Sequence, residues 1–176
     1  MRSAAPRLVL LDRDGTLNRK PAEGDYVTAV DQLELLPGAA AAVRRLNDAG
    51  IPVAVVTNQR GVALGRLTAA QLDEVHAALR ARLGAVGARL DGIYHCPHHA
   101  DTCRCRKPQP GLLERAGREL GVPLTDAAMV GDADSDVEAG HRVGVLTVQL
   151  VDDARPSAAD LTAPDLAVVV DVLLGG

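Results

Sequence analysis

Four apolar residues, Leu8-Val9-Leu10-Leu11, run straight into Asp12-Arg13-Asp14-Gly15-Thr16. A short apolar run bounded by turn signals reads as a buried strand. In a parallel α/β sheet, the carboxyl end of such a strand faces the crevice where ligands bind. Two carboxylates placed there lose solvent and repel each other, so they need a cation or a reaction to hold them.

The rest of the chain alternates strand and helix. After strand one (residues 7–11), residues 18–36 read as a flap or short hairpin. Pro37-Gly38 opens a helix to Asn47 with Ala39, Ala42, Val43 and Leu46 on one face, and Gly50 stops it. Residues 52–56 form a second strand, followed by Thr57-Asn58-Gln59 and a Gly-containing loop to Arg66. Thr68 and Gln71 form a capping box for a helix to about Leu83, with Leu72, Val75, Leu79 and Leu83 inward. Strands follow at 92–95, 127–130 and 144–150, and helices at 110–120 and 134–140. Residues 164–174 read as a helix, though their valine run also suits a strand. This alternation implies an α/β fold: a three-layer, Rossmann-like sandwich around a central parallel sheet with right-handed crossovers. The segment after strand one is too short for a cap domain, so residues 1–176 are expected to form one domain.

Composition narrows the function. A net charge of -4 and only two aromatic residues, Tyr26 and Tyr94, argue against nucleic-acid binding. No apolar run is long enough for a bilayer, and Met1 to Arg7 lacks the apolar centre of a signal peptide. The expectation is a cytoplasmic, monomeric protein with no membrane partner.

Polar groups stand at three strand ends: Asp12 and Asp14, Thr57, and Asp132 with Asp136 just beyond it. Lys107 precedes the helix that leads to strand four. In a parallel sheet these ends share one edge. Asp12, Asp132 and Asp136 with a backbone carbonyl suit Mg²⁺. Thr57 and Lys107 offer a hydroxyl and an ammonium to a phosphoryl oxygen, and a carboxylate can attack phosphorus to form an acyl phosphate. Asp134 is expected to face solvent or cap a helix.

The three cysteines, Cys96, Cys103 and Cys105, fall within ten residues, with His98 between them. Close pairs of soft ligands joined by a short loop suit tetrahedral, structural Zn²⁺. A disulfide would leave one thiol over and is disfavoured in the cytoplasm. His95 and His99 are rival ligands; the alternation favours His98, with His95 ending a strand and His99 exposed. His76 and His141 have no partner in sequence and read as structural. A loop (residues 96–105) fixed by zinc would in turn fix Arg106 and Lys107.

Asp12-Arg-Asp14-Gly-Thr16, Thr57-Asn58, Lys107 and Gly131-Asp132-x-x-x-Asp136 resemble, in order, the four motifs of the haloacid dehalogenase-like (HAD-like) phosphotransferases. The resemblance implies that Asp12 is the nucleophile and Asp14 the general acid/base. It places Thr57 and Lys107 on the phosphoryl group. Asp12, the Asp14 carbonyl and Asp132 would lie on Mg²⁺, with Asp136 as ligand or support. Cys96-Pro-His98 through Cys103-x-Cys105-Arg106-Lys107-Pro108 is similar to the capless zinc-loop branch, which holds D-glycero-D-manno-heptose 1,7-bisphosphate 7-phosphatases and histidinol-phosphate phosphatases. Thr57-Asn58-Gln59-x-Gly61-Val62-x-x-Gly65 is closer to the heptose group. The branch implies that Asn58, Arg60 and Arg106 line the substrate entrance, with Arg106 on a second anionic group of a phosphorylated sugar. Leu64 and Ala133 stand where many heptose enzymes carry basic residues. The expectation is thus a Mg²⁺-dependent phosphatase, most specifically of heptose bisphosphate. The alternatives are a histidinol-phosphate phosphatase, another small phosphomonoesterase, or a non-catalytic zinc-stabilised module.

Overall fold

The computed structural model describes residues 5–151 and 155–175. The N-terminal stretch read against a signal peptide therefore lies partly outside the described residues. Six parallel strands form one sheet in the order β3-β2-β1-β4-β5-β6: β1 (Leu8–Leu11), β2 (Val53–Asn58), β3 (Gly92–Cys96), β4 (Ala127–Gly131), β5 (Leu146–Leu150) and β6 (Leu161–Ala163). Alternate residues of each inner strand feed two separate cores. Val9, Leu11, Val53, Val55, Ala128 and Val130 pack on one face against α1 (Ala39–Asp48), α2 (Ala69–Gly84) and α5 (Leu166–Leu174). Leu8, Leu10, Ala54, Val56, Ala127 and Met129 pack on the other, against α3 (Gly111–Leu120) and α4 (Asp134–Val143). Coverage of both faces is why the strands are continuous apolar runs.

The helix signals act where they stand. Ala39, Ala42, Val43 and Leu46 are all buried, as are Leu72, Val75, Leu79 and Leu83. Thr68 and Gln71 close the capping box reciprocally. Gly50 and Gly121 take the left-handed conformation just past α1 and α3.

Some boundaries move. β2 extends to Asn58, so Thr57 and Asn58 are strand residues rather than a loop. α4 runs on to Val143 and takes His141 into its last turn. Residues 161–174 divide into β6 and helix α5, and the sequence pattern does not predict this sixth strand. It is three residues long, partly exposed and without alternation, so only its pairing with β5 reveals it. The flap is not a regular hairpin. Residues 12–38 carry isolated bridges Asp14↔Asn18 and Asn18↔Leu35 and a single 3₁₀ turn at Val30–Gln32, and Tyr26 of this segment packs where a Gly61 side chain would stand. Among the described residues, no helix is long and apolar enough to cross a membrane.

Candidate active site

Strands β2 and β4 flank β1, and the crossover direction reverses between β1 and β4. That switch point opens a crevice at the carboxyl ends of the strands. Asp12 follows β1 and Asp132 follows β4, so the chain delivers both acids to it. Asp136 joins them from the first turn of α4. One oxygen from each of Asp12, Asp132 and Asp136 lies within 4.8 Å of the others.

Lys107 closes the cluster from beneath. Its Nζ donates to Asp12 Oδ1 at 3.0 Å and to the Val56 carbonyl at 2.7 Å, and lies 2.5 Å from Asp136 Oδ1. Burial opposes the ammonium, but the charges of Asp12 and Asp136 outweigh it and hold Lys107 above the ordinary lysine range. Burial has the larger effect on Asp12 and raises it to about 7, against the pull of Lys107 and with the push of Asp136. A divalent cation on these oxygens would oppose that shift.

Two glycines make the approach possible. A Cβ on Gly131 would stand 2.0 Å from Asp136 Oδ2, and one on Gly15 2.6 Å from the Asp132 carboxyl. Gly15 also holds φ +87°, which an L side chain rarely adopts. Asp136 does double duty, since its Oδ2 accepts the Ala133 N–H at 3.1 Å and caps α4. Asp134, the residue expected to cap or face solvent, is exposed at the same turn and accepts from Gln149 and Arg155.

Asp14 is held by a set of donors to which the sequence motifs assign no role. Arg13 is fully buried and reaches both Asp14 oxygens through Nη2, at 3.0 and 3.1 Å, and Oδ1 through Nε at 3.2 Å. Asn18 Nδ2 donates to Oδ1 at 2.8 Å and Gln59 Nε2 to Oδ2 at 2.9 Å. Behind Arg13 sits His76, whose Nε2 lies 3.2 Å from Nη1. Burial, then the Arg13 charge, pushes His76 down to about 3, so it is neutral and accepts that hydrogen bond. His76 is structural, as expected, but with a named partner. Arg13 and Asn18 lie within four residues of Asp14, and Gln59 two from Thr57, so proximity to the motifs is the available signal. For Lys20, whose Nζ donates to Asp132 Oδ2 at 2.5 Å across 112 positions of sequence, the only hint is the scarcity of lysine.

Thr57 is buried, and its Oγ1 accepts from Gln59 Nε2 at 3.0 Å, which leaves its O–H available to donate. The Asn58 amide clamps the Lys107 backbone, Nδ2 donating to the carbonyl and Oδ1 accepting from the N–H, both at 3.0 Å. Arg60 Nε and Arg106 Nη1 are buried nitrogens without a hydrogen-bond partner among the described residues.

Cys96, His98, Cys103 and Cys105 converge. Their facing atoms, three sulfurs and His98 Nδ1, approach one another at 3.3–3.5 Å. The S···S distances are far longer than a disulfide bond of about 2.05 Å, and the thiols are free. Three sulfurs and an imidazole nitrogen around one point fit a tetrahedral soft cation. Burial pushes Cys96 up to about 12. Burial also raises Cys103, but hydrogen bonds from the Arg106 backbone and the Cys105 thiol outweigh it and bring Cys103 down to about 6. His95 lies within β3 beside His76, and His99 is exposed; neither joins the quartet. The loop is tied to its surroundings: Gln59 N–H donates to the Cys96 carbonyl at 2.7 Å, and Gly111 N–H to the Arg104 carbonyl at 3.1 Å.

A six-stranded parallel sheet with acids, an ammonium and a hydroxyl gathered at its switch point defines the class: a hydrolase of the α/β type with its chemistry at the carboxyl edge. Residues 7–144 match the family model described as haloacid dehalogenase-like hydrolase. The chain belongs to that family. It is 37% identical over 160 residues to a D-glycero-beta-D-manno-heptose-1,7-bisphosphate 7-phosphatase of Yersinia pestis, covering 86% of this chain and 84% of that one. A D-glycero-alpha-D-manno-heptose-1,7-bisphosphate 7-phosphatase of Mycobacterium tuberculosis is 42% identical over 137 residues, covering 77% and 72%. Among solved structures, the D,D-heptose 1,7-bisphosphate phosphatase of B. bronchiseptica, complexed with magnesium and phosphate, superposes with a TM-score of 0.87 at 32% identity, over 96% of this chain and 98% of that one.

Proposed function

We propose that this chain is a Mg²⁺-dependent phosphatase that removes the 7-phosphate of D-glycero-D-manno-heptose 1,7-bisphosphate through an aspartyl-phosphate on Asp12. The observation that carries the reading is the convergence of Asp12, Asp132 and Asp136, with the buried Lys107 ammonium held on Asp12 and Asp136. An Asp12 oxygen attacks phosphorus, and the bond to the sugar oxygen breaks. Asp14, entering the step as the carboxylic acid, gives that oxygen its proton. Asp14, now a carboxylate, takes a proton from water, which attacks the acyl phosphate; inorganic phosphate leaves and Asp12 is restored. Lys107 and the Thr57 hydroxyl face the phosphoryl oxygens and stabilise their charge.

Mg²⁺ would be held by Asp12, Asp132 and the Asp14 carbonyl, with Asp136 beside them, and would supply a Lewis acid to the phosphoryl group. Asp132 Oδ1, buried and without a hydrogen-bond partner among the described residues, fits such a ligand set. Zn²⁺ on Cys96, His98, Cys103 and Cys105 would fix the loop that carries Arg106 and Lys107. Arg60 and Arg106, each with a buried nitrogen that finds no partner among the described residues, are read as contacts to the second phosphate. The free thiols suit a reducing compartment, so we read the enzyme as cytoplasmic. We further read it as a capless single domain acting as a monomer.

The test is phosphate release from the two heptose bisphosphate anomers and from histidinol phosphate, with Mg²⁺, by wild-type protein and Asp12→Asn. The expected result is preferential turnover of a heptose bisphosphate, abolished by the substitution. Preference for histidinol phosphate would overturn the substrate, and equal activity in Asp12→Asn would overturn the nucleophile.

A further inference from the structure

The chain contains two lysines, Lys20 and Lys107, and both ammonium groups end on the acid cluster. They are held very differently. Lys107 is buried among Asp12, Asp136 and the Val56 carbonyl. Lys20 reaches Asp132 from the flap with 57% of its side chain exposed. Its backbone is fixed at the rim by its neighbour: Arg19 N–H donates to the Glu34 carbonyl at 2.7 Å, and the Arg19 guanidinium holds the Glu34 carboxylate at 3.0 and 3.1 Å. The Lys20 Cα is therefore anchored, while its four-carbon stem can swing.

Charge balance separates the two lysines further. With all three carboxylates ionised, Asp12, Asp132 and Asp136 against two ammonium groups leave the cluster with one net negative charge. A divalent cation among the carboxylates turns that into an excess of positive charge, and one ammonium becomes surplus. Lys107 is held on three sides away from solvent; Lys20 is exposed and leaves at the lower cost. A phosphate ester then brings negative charge to the same edge.

We propose that Lys20 balances the Asp132 charge while no divalent cation is bound and, once the cation's charge makes this ammonium surplus, turns to the incoming phosphate. This rests on the phosphatase reading above. Lys20 is thus a positioning and binding residue on the flap, and cation and substrate binding are linked through it.

The test uses full-length, zinc-loaded protein freed of magnesium: wild type, Lys20→Met and Lys20→Arg. Calorimetric titration with Mg²⁺ alone should show Lys20→Met binding about threefold or more tightly than wild type, since the competing cation is gone. Titration of the Mg²⁺-saturated proteins with inorganic phosphate should show Lys20→Met binding about fivefold more weakly, with a shallower dependence on salt. Lys20→Arg, which keeps the charge, should stay near wild type in both. Unchanged or weaker Mg²⁺ binding in Lys20→Met, unchanged phosphate binding, or equal shifts in both variants would overturn the proposal. A wild-type protein that hydrolyses no phosphate ester would instead strike the phosphatase reading, because both titrations are read without turnover.

Discussion

The Arg13 guanidinium, fully buried, grips both oxygens of the Asp14 carboxylate, at 3.0 and 3.1 Å through Nη2. Consecutive residues thus divide the work: one points its charge inward so that the next presents a fixed carboxylate to the crevice. Arg13→Met leaves that carboxylate without its fork and His76 without its donor. It should lower stability by on the order of 3 kcal/mol, as expected when one member of a buried pair is removed, in urea denaturation. Arg13→Lys, which lacks the fork, should recover only part of the stability and turnover.

His76 carries a pH signature. Its imidazole is held down at about 3 in the folded chain, by burial first, against 6.5 when free. Between those values the unfolded chain binds the extra proton, so acid favours unfolding. The contribution is fully present above pH 6.5 and is lost progressively as pH falls toward 3, at up to about 1.4 kcal/mol per pH unit. His76→Gln, whose amide oxygen can still accept from Arg13, should flatten this part of the stability profile in denaturation series at stepped pH. An unchanged slope would show that His76 titrates normally.

Gly131→Ala puts a methyl group 2.0 Å from Asp136 Oδ2. Asp136 has to move, and it carries with it the α4 cap and one face of the Lys107 site. The expected cost is about 1–3 kcal/mol of stability, with kcat/KM falling about tenfold or more because a misplacement near 1 Å is expensive in rate. Thermal melts and steady-state kinetics read the two effects separately.

Asn58→Leu removes both hydrogen bonds to the Lys107 backbone while keeping the residue's approximate size. It should lower kcat more than it raises KM, since the clamp positions Lys107 at the phosphoryl site. A pure KM effect would show that the clamp does not position Lys107.

Metal analysis of freshly purified protein should find about one equivalent of zinc, as a closed four-ligand site requires. Cys103→Ser should release it and lower the melting temperature. It should also reduce phosphatase activity at saturating Mg²⁺, because the loop's path leads within two residues from Cys105 to Lys107.

Much of this protein is written locally. The strand runs, the Thr68–Gln71 capping box, the left-handed glycines after helices and the Cys96–Cys105 spacing each act within about ten residues, so the sequence by itself determined the alternating elements, the acid motifs and the thiol–imidazole quartet. The tertiary structure decided what joins them. The order β3-β2-β1-β4-β5-β6 brings Lys107 to Asp12 across 95 positions and Lys20 to Asp132 across 112, and pairs Asn58 with Lys107 across 49. β6 exists because β5 offers an edge to pair with. Arg13 would ordinarily be read as a solvated charge; it is buried because Asp14 and His76 together replace the water its guanidinium gives up. Such pairings are set by which chain segments the sheet lays side by side, and no periodicity along the chain encodes them.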